Sequence, residues 1–219
     1  MLNVMIGYDP RQPVAYNVLQ HSIVRHASEP VAITPLILKQ LPIERRGLTE
    51  FTFSRFLVPY LCGFKGMAVF LDADMVVTGD IAELVNGTSA GNAVSVMKDQ
   101  PEFEWASAMV FSCGLCGKLK PEYVETASNE DLFRFKWANA VGEMPPEWNH
   151  FVGFQEPKHA KLYHYSQGIP AWFETRGLAE DSAWDTERNL ITKTVSWKDL
   201  MGNSVHAPAV LKRMIGRYQ

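Results

Sequence analysis

Only three cysteines, Cys62, Cys113 and Cys116, occur in the 219 residues, too few and too unevenly placed for a disulfide framework. The spacing Cys113-Gly114-Leu115-Cys116 suits a redox pair or half a zinc site. No second Cys-x-x-Cys or His-x-x-x-His completes one, so buried structural thiols are expected. A long unbroken apolar run is also missing, and the opening MLNVMIGYDP has neither a basic n-region nor an apolar h-region. A soluble, cytoplasmic protein without a transmembrane segment is the expectation. Positive charge is not in excess: the net charge of −3 argues against general nucleic-acid binding, so any bound anion must be met by local cations. Internal repeats and low-complexity tracts are absent.

What remains is ordinary globular composition, 47% hydrophobic and 21% charged, enough for one sizeable core. One domain over 1–219 is the default, with 173–219 as an alternative C-terminal appendage. Val4 to Asp9 reads as a strand, Val14, Val18, Leu19 and Ile23 as a helix face, and Val31 to Leu38 as a second strand despite Pro35. Phe53, Phe56, Leu57, Tyr60 and Leu61 predict a helix shortened or bent by Pro59. Asp80 caps a short helix to Val85, and Ala93 to Met97 and Ala108 to Ser112 are further strands. Pro121 opens another helix, Asn129 is read as the cap of one running through Leu132, Phe133 and Trp137, and Lys161 to Tyr165 is the last strand. From there to Lys198 little periodicity is visible. At the end, Val210, Leu211, Met214, Ile215 and Tyr218 form a helical stripe beside Lys212, Arg213 and Arg217. A packed helix is the first reading, and a basic foot for peripheral membrane contact or an acidic partner the second.

The most informative stretch is AVFLDADMVVT, residues 68 to 78. Ala68 to Leu71 has no polar face, so it suits a strand buried on both sides of a mainly parallel sheet, with Asp72 and Asp74 at its C-terminal end. Open α/β sheets bind ligands there. Two carboxylates so close repel one another unless a cation sits between them, and hard oxygen ligands favour Mg²⁺ or Mn²⁺. A divalent metal holding a phosphorylated substrate is the leading reading, and a turn after an ordinary strand the plain one. The later HYSQGIPAW offers His164 at a strand end followed by a Gly and Pro turn. An imidazole ligand suits Mn²⁺ better than Mg²⁺, and the turn's N–H groups are placed to meet a diphosphate. His21, His26, His150, His159 and His206 have no such setting and are read as structural or surface residues.

The stretch from Thr52 to Leu84 resembles the central segment of the family 8 glycosyltransferases, retaining enzymes of the GT-A fold. Arg55, Asp72, Asp74, Asp80 and Leu84 stand at the places of that pattern. The opening strand through Gly7, Tyr8 and Asp9 resembles the family's nucleotide-binding start, where Tyr8 is placed to stack on the base. His164 and Trp172 match the ends of the family's His-x-x-Gly-x-x-Lys-Pro-Trp motif. Within it Gly168 falls one place late and Pro170 replaces the lysine, so the diphosphate contact falls to Lys161, Arg176 or Arg11. Ala106-Ser107-Ala108 occupies the family's Asn-x-Gly position.

The resemblance implies a single GT-A-like α/β domain with a mixed, mainly parallel sheet. It implies transfer of a sugar from a nucleotide sugar, a UDP-sugar, to a saccharide, lipid-linked or protein acceptor. Asp72, Asp74 and His164 are its metal ligands for Mn²⁺ or Mg²⁺. Gly7, Tyr8, Asp9, Arg11, Arg55, Asp72, Ala73 and Gly168 are its donor-binding residues. Asn129 and Glu130, where the family has an Asp-Gln-Asp triplet, line the catalytic face. Two alternatives stay open. A haloacid-dehalogenase-like phosphatase would use Asp72 as nucleophile and Asp74 as general acid. A nucleotide-sugar-binding protein would keep the metal site without turnover.

Overall fold

A computed structural model of the chain describes residues 1–98, 102–156, 159–171 and 173–194. The chain opens with β1 (Leu2–Gly7), α1 (Pro13–His26) and β2 (Val31–Leu36). Pro13 starts α1, where its missing N–H costs nothing, and Arg25 and His26 in the last turn suit the negative end of the helix dipole. A 3₁₀ turn over Ser54–Leu57 leads into α2 (Val58–Leu61), then β3 (Met67–Leu71), β4 (Met75–Val77) and α3 (Ile81–Asn86). There follow β5 (Val94–Val96), β6 (Ala108–Ser112), α4 (Pro121–Thr126), α5 (Asn129–Phe133) and β7 (Val141–Glu143). The described part closes with β8 (His150–Phe151), β9 (Leu162–His164) and α6 (Asp181–Thr194).

The fold is mixed α/β. Its central sheet has the order β2-β1-β3-β6-β5-β7 and is mainly parallel, with β6 running against β3 and β5. Pro35 is accommodated because β2 is an edge strand. A smaller sheet, β4-β9-β8, stands beside it. The apolar run before Asp72 has its cause here: Val69 and Leu71 enter one buried cluster with Val4, Ile6 and α1. Ala68 and Phe70 enter another with Met5, Met109 and Phe111. Both faces of β3 are covered, so no polar alternation is tolerated.

Several boundaries differ from the sequence reading. The helix expected from Phe53 splits into a 3₁₀ turn and the single turn of α2, because Pro59 has no N–H to extend an α-helical ladder backwards. Ser128, not Asn129, caps α5: its hydroxyl accepts from the Asp131 N–H at 3.0 Å. That helix stops at Phe133, with Phe135 at φ 54°, so Trp137 lies beyond it and donates to the Leu132 carbonyl instead. Asp80 caps α3 as expected, accepting from the Ala82 N–H at 3.1 Å. Cys113 and Cys116 are buried and Cys62 half-buried, all as free thiols.

The largest surprise is α6, in a stretch that reads as aperiodic. It packs on α1 through Glu187, which is buried and accepts from Arg25 Nε at 2.7 Å and meets His21 Nδ1 at 2.7 Å. The C-terminal stripe at 210–218 lies outside the described residues. Among the described residues no helix is long and apolar enough to cross a membrane.

Candidate functional site

The two aspartates sit where the chain leaves one sheet for the other. β3 ends at Leu71, the three residues Asp72-Ala73-Asp74 cross over, and β4 begins at Met75. Backbone bonds fix the crossing at both ends. The Asp72 N–H donates to the Ser107 carbonyl, and the Tyr165 N–H donates to the Asp74 carbonyl, each at 2.9 Å. Antiparallel pairing of β4 with β9 sets Met75 opposite His164, which brings the imidazole beside the aspartates. Phe151 covers its ring edge-on at 4.4 Å.

One ligand atom each from Asp72, Asp74 and His164 falls within 4.8 Å of the others. His164 Nε2 lies 3.3 Å from Asp74 Oδ1. Asp72 Oδ1 and Asp74 Oδ1 are buried with ion-pair contacts but no well-aligned hydrogen bond, and His164 Nδ1 is buried without a partner. Burial pushes the Asp72 carboxyl up to about 7, with the Arg55 guanidinium opposing and Asp74 adding to the rise. For His164 burial works downwards, but Asp74, Asp72 and Glu104 together outweigh it and raise the imidazole. Both shifts describe a site short of positive charge. Two carboxylates and an imidazole are a suitable donor set for a divalent cation.

Arg55 stands behind this cluster. Its Nη1 donates to the Ala106 carbonyl at 2.8 Å and its Nε to the Phe51 carbonyl at 3.3 Å, while Nη2 lies 3.0 Å from Asp72 Oδ1. The rings of Phe51 and Phe70 flank the guanidinium at 5.6 and 5.1 Å. A buried arginine with each nitrogen engaged on protein orients Asp72; it does not reach outward as the sequence reading expected of a donor contact.

In front of the cluster is a cavity of about 250 Å³ whose walls include Asp9, Arg11, Thr49, Phe51, Ala73, Asp74 and Gly168. Five sequence-selected residues therefore share one cavity: Asp9, Arg11, Ala73, Asp74 and Gly168. Gly7 and Tyr8 do not line it. Gly7 is buried beneath Phe51, and Tyr8 packs edge-on against Tyr16 at 5.5 Å. Asn129 and Glu130 lie elsewhere, on the exposed face of α5. Asn129 Oδ1 accepts from Arg45 at 2.7 Å, and Glu130 pairs with Lys136 at 2.9 Å. Trp172 is outside the described residues. No local pattern marks Thr49 and Phe51 as walls, or Glu104 as a carboxylate whose charge is felt at the cluster. Asn149 is held at φ 66° with its Nδ2 on Ser107 Oγ at 3.1 Å.

Protein CDI of Arabidopsis thaliana is 33% identical to this chain, with 78% of this chain and 79% of that protein covered. The chain belongs to the Protein CDI family. No protein-family model matches it. Among solved structures, this CDI-family chain is similar to the bifunctional glycosyltransferase WbbM, with a TM-score of 0.66 at 17% identity over 97% of its length. It spans about half, 51%, of that WbbM chain. It is also similar to the galactosyltransferase LgtC, determined with donor and acceptor sugar analogues (TM-score 0.57, 10% identity, 91% and 99% covered). A third is the glycosyltransferase GlyE of Streptococcus pneumoniae (0.62, 15%, 90% and 64%). At these identities what the CDI-family chain shares with them is the GT-A fold.

Gly7 offers a check on the cavity wall in this CDI-family protein. A Cβ added there would lie 2.4 Å from Phe51 Cγ and 2.9 Å from Cδ1, against a ring that cannot yield without leaving the wall. Gly7→Ala is expected to cost about 2 kcal/mol. The measurement is a shift in the urea midpoint at unchanged m-value.

Proposed function

We propose that this protein is a metal-dependent glycosyltransferase that moves a sugar from a nucleotide diphosphate sugar, UDP-linked, to a saccharide, lipid-linked or protein acceptor. The observation that carries the reading is the convergence of Asp72, Asp74 and His164 beside a cavity at the C-terminal ends of β1 and β3. The GT-A fold and the glycosyltransferase names of its structural neighbours support it. A divalent ion, Mn²⁺ in preference to Mg²⁺, supplies charge neutralisation for the diphosphate as the nucleotide leaves.

The chain's own residues divide the work. Asp72, Asp74 and His164 hold the ion, Arg55 holds Asp72, and Phe51 with Ala73 closes the cavity wall. Retention at the transferred sugar is part of the proposal through the family 8 resemblance, as is a single catalytic domain.

The test is a panel of UDP-sugars, read as slow donor hydrolysis and as thermal stabilisation by UDP with Mn²⁺. Stabilisation by phosphate and Mg²⁺ alone would move the assignment to a phosphatase, and no response to UDP under any condition would remove the donor assignment altogether.

A pH dependence follows from the two raised groups. Loading the ion requires Asp72, raised to about 7, to be ionised and the raised His164 to be neutral, so protons are released on binding. Both protons are held at low pH and lost as pH rises. Mn²⁺ affinity is therefore expected to climb about tenfold or more between about pH 6 and pH 7.5, measured by calorimetry with proton release followed in buffers of different ionisation enthalpy.

A further inference from the structure

The cavity has a charge problem that the three ion-holding residues do not solve by themselves. Its walls carry two carboxylates, Asp9 and Asp74, and an anionic diphosphate entering it needs a protein cation. Three candidates stand in the sequence, and the structure separates them. Lys161 is engaged with Glu83 at 2.6 Å and Glu147 at 3.1 Å. Arg176 is engaged with Asp185 at 2.6 Å and with the Pro170 carbonyl. Arg11 is the one lysine or arginine among the described residues lining the cavity. The turn at Gly168 does not offer that glycine's N–H, which donates to the Tyr165 carbonyl at 2.8 Å.

Arg11 is also held ready. Its Nε lies 2.9 Å from Asp9 Oδ1 and 3.1 Å from Oδ2, its Nη2 lies 2.5 Å from Oδ2, and its own N–H donates to Oδ1 at 2.9 Å. Nη1 makes no hydrogen bond within the described residues, and the side chain is 68% exposed. One edge of the guanidinium is thus fixed on Asp9, Nη2 also reaches the Leu48 carbonyl at 3.5 Å, and Nη1 is the nitrogen left for a ligand. A guanidinium N–H donates charge-assisted hydrogen bonds to phosphate oxygens, and prior orientation reduces the entropy lost when it binds.

Resting on the donor reading above, we infer that Arg11 is the protein's grip on the donor diphosphate, with Asp9 as the residue that positions it. The cation comes from the loop after β1 and not from the Gly168 turn.

The experiment uses the whole chain and three probes: inorganic pyrophosphate with Mn²⁺, UDP with Mn²⁺, and uridine. Arg11→Ala is expected to lose about 10- to 100-fold in affinity for pyrophosphate and for UDP while leaving uridine binding and Mn²⁺ binding without nucleotide unchanged. Arg11→Lys keeps the charge without the fork and is expected to recover part of the loss. Unchanged pyrophosphate and UDP affinity in Arg11→Ala would overturn the inference, as would an equal loss for uridine, since Arg11 would then act on the nucleoside. A wild type that binds pyrophosphate through Arg11 but shows no preference for UDP keeps the inference and removes the donor reading.

Discussion

Asp74→Ala is expected to abolish the thermal stabilisation predicted for UDP with Mn²⁺, and to lower the predicted donor hydrolysis by about 10³-fold, the loss expected when transition-state charge goes uncompensated. The fold is expected to survive the change. Asp74 contributes its backbone carbonyl to the Tyr165 N–H, which alanine keeps, and its side chain is partly exposed, so no buried cavity opens. Removing one of two neighbouring carboxylates also relieves repulsion at Asp72. That relief opposes the loss of the His164 ion pair, so the melting temperature without metal should change little while the ligand-induced shift disappears. A variant that still shows a Mn²⁺-dependent shift with UDP would send the metal assignment elsewhere.

Arg55→Ala has the largest expected effect on stability, about 3 to 5 kcal/mol, the range for removing one partner of a buried ion pair. The arginine ties Phe51, Ala106 and Asp72 together and is flanked by two phenyl rings, so alanine leaves the Ala106 carbonyl without its donor and a void beside the rings, while the Phe51 carbonyl keeps the backbone N–H of residue 55. Its charge also opposes the rise in the Asp72 carboxyl, which goes higher still without it. At neutral pH Asp72 would then hold its proton, and Mn²⁺ binding would need a more alkaline solution. Arg55→Lys separates the two roles: it keeps a cation near Asp72 but cannot bridge three groups. It should retain more of the Mn²⁺ affinity at pH 7 than alanine while still unfolding at lower urea. A lysine variant with native stability and a pure loss in donor-sugar affinity would instead make Arg55 a direct donor contact.

The parts of the site that were legible in the sequence are those whose chemistry is local. An apolar run with no polar face, ended by two aspartates, has few physical explanations, and β3 with both faces buried is one of them. His164 was legible for a similar reason, as a histidine ending a strand before a turn that needs glycine; Gly168 sits at φ 118°. Long-range partners were not legible. The helix α6 buries Glu187, a residue that reads as solvent-facing until Arg25 and His21 arrive from α1. Phe51 lies in a loop, and only the absence of a side chain at Gly7 makes it a wall. Ser128 and Asn129 are both good helix caps, and adjacent capping residues cannot be ranked without knowing where the chain enters the turn. Among Lys161, Arg176 and Arg11, each paired with a carboxylate, Arg11 is set apart by lining the cavity, which depends on contacts far apart in the chain.

The three-residue crossing between β3 and β4 has a mechanical side. Asp72 leaves the end of a strand in the larger sheet, whereas His164 belongs to a strand of the smaller one, and Asp74 lies between them. A shared ion would clasp two layers whose covalent link at that point is a short tether, so sliding of one layer against the other would register directly as a change in metal affinity. Metal affinity and the rigidity of that seam would then rise and fall together.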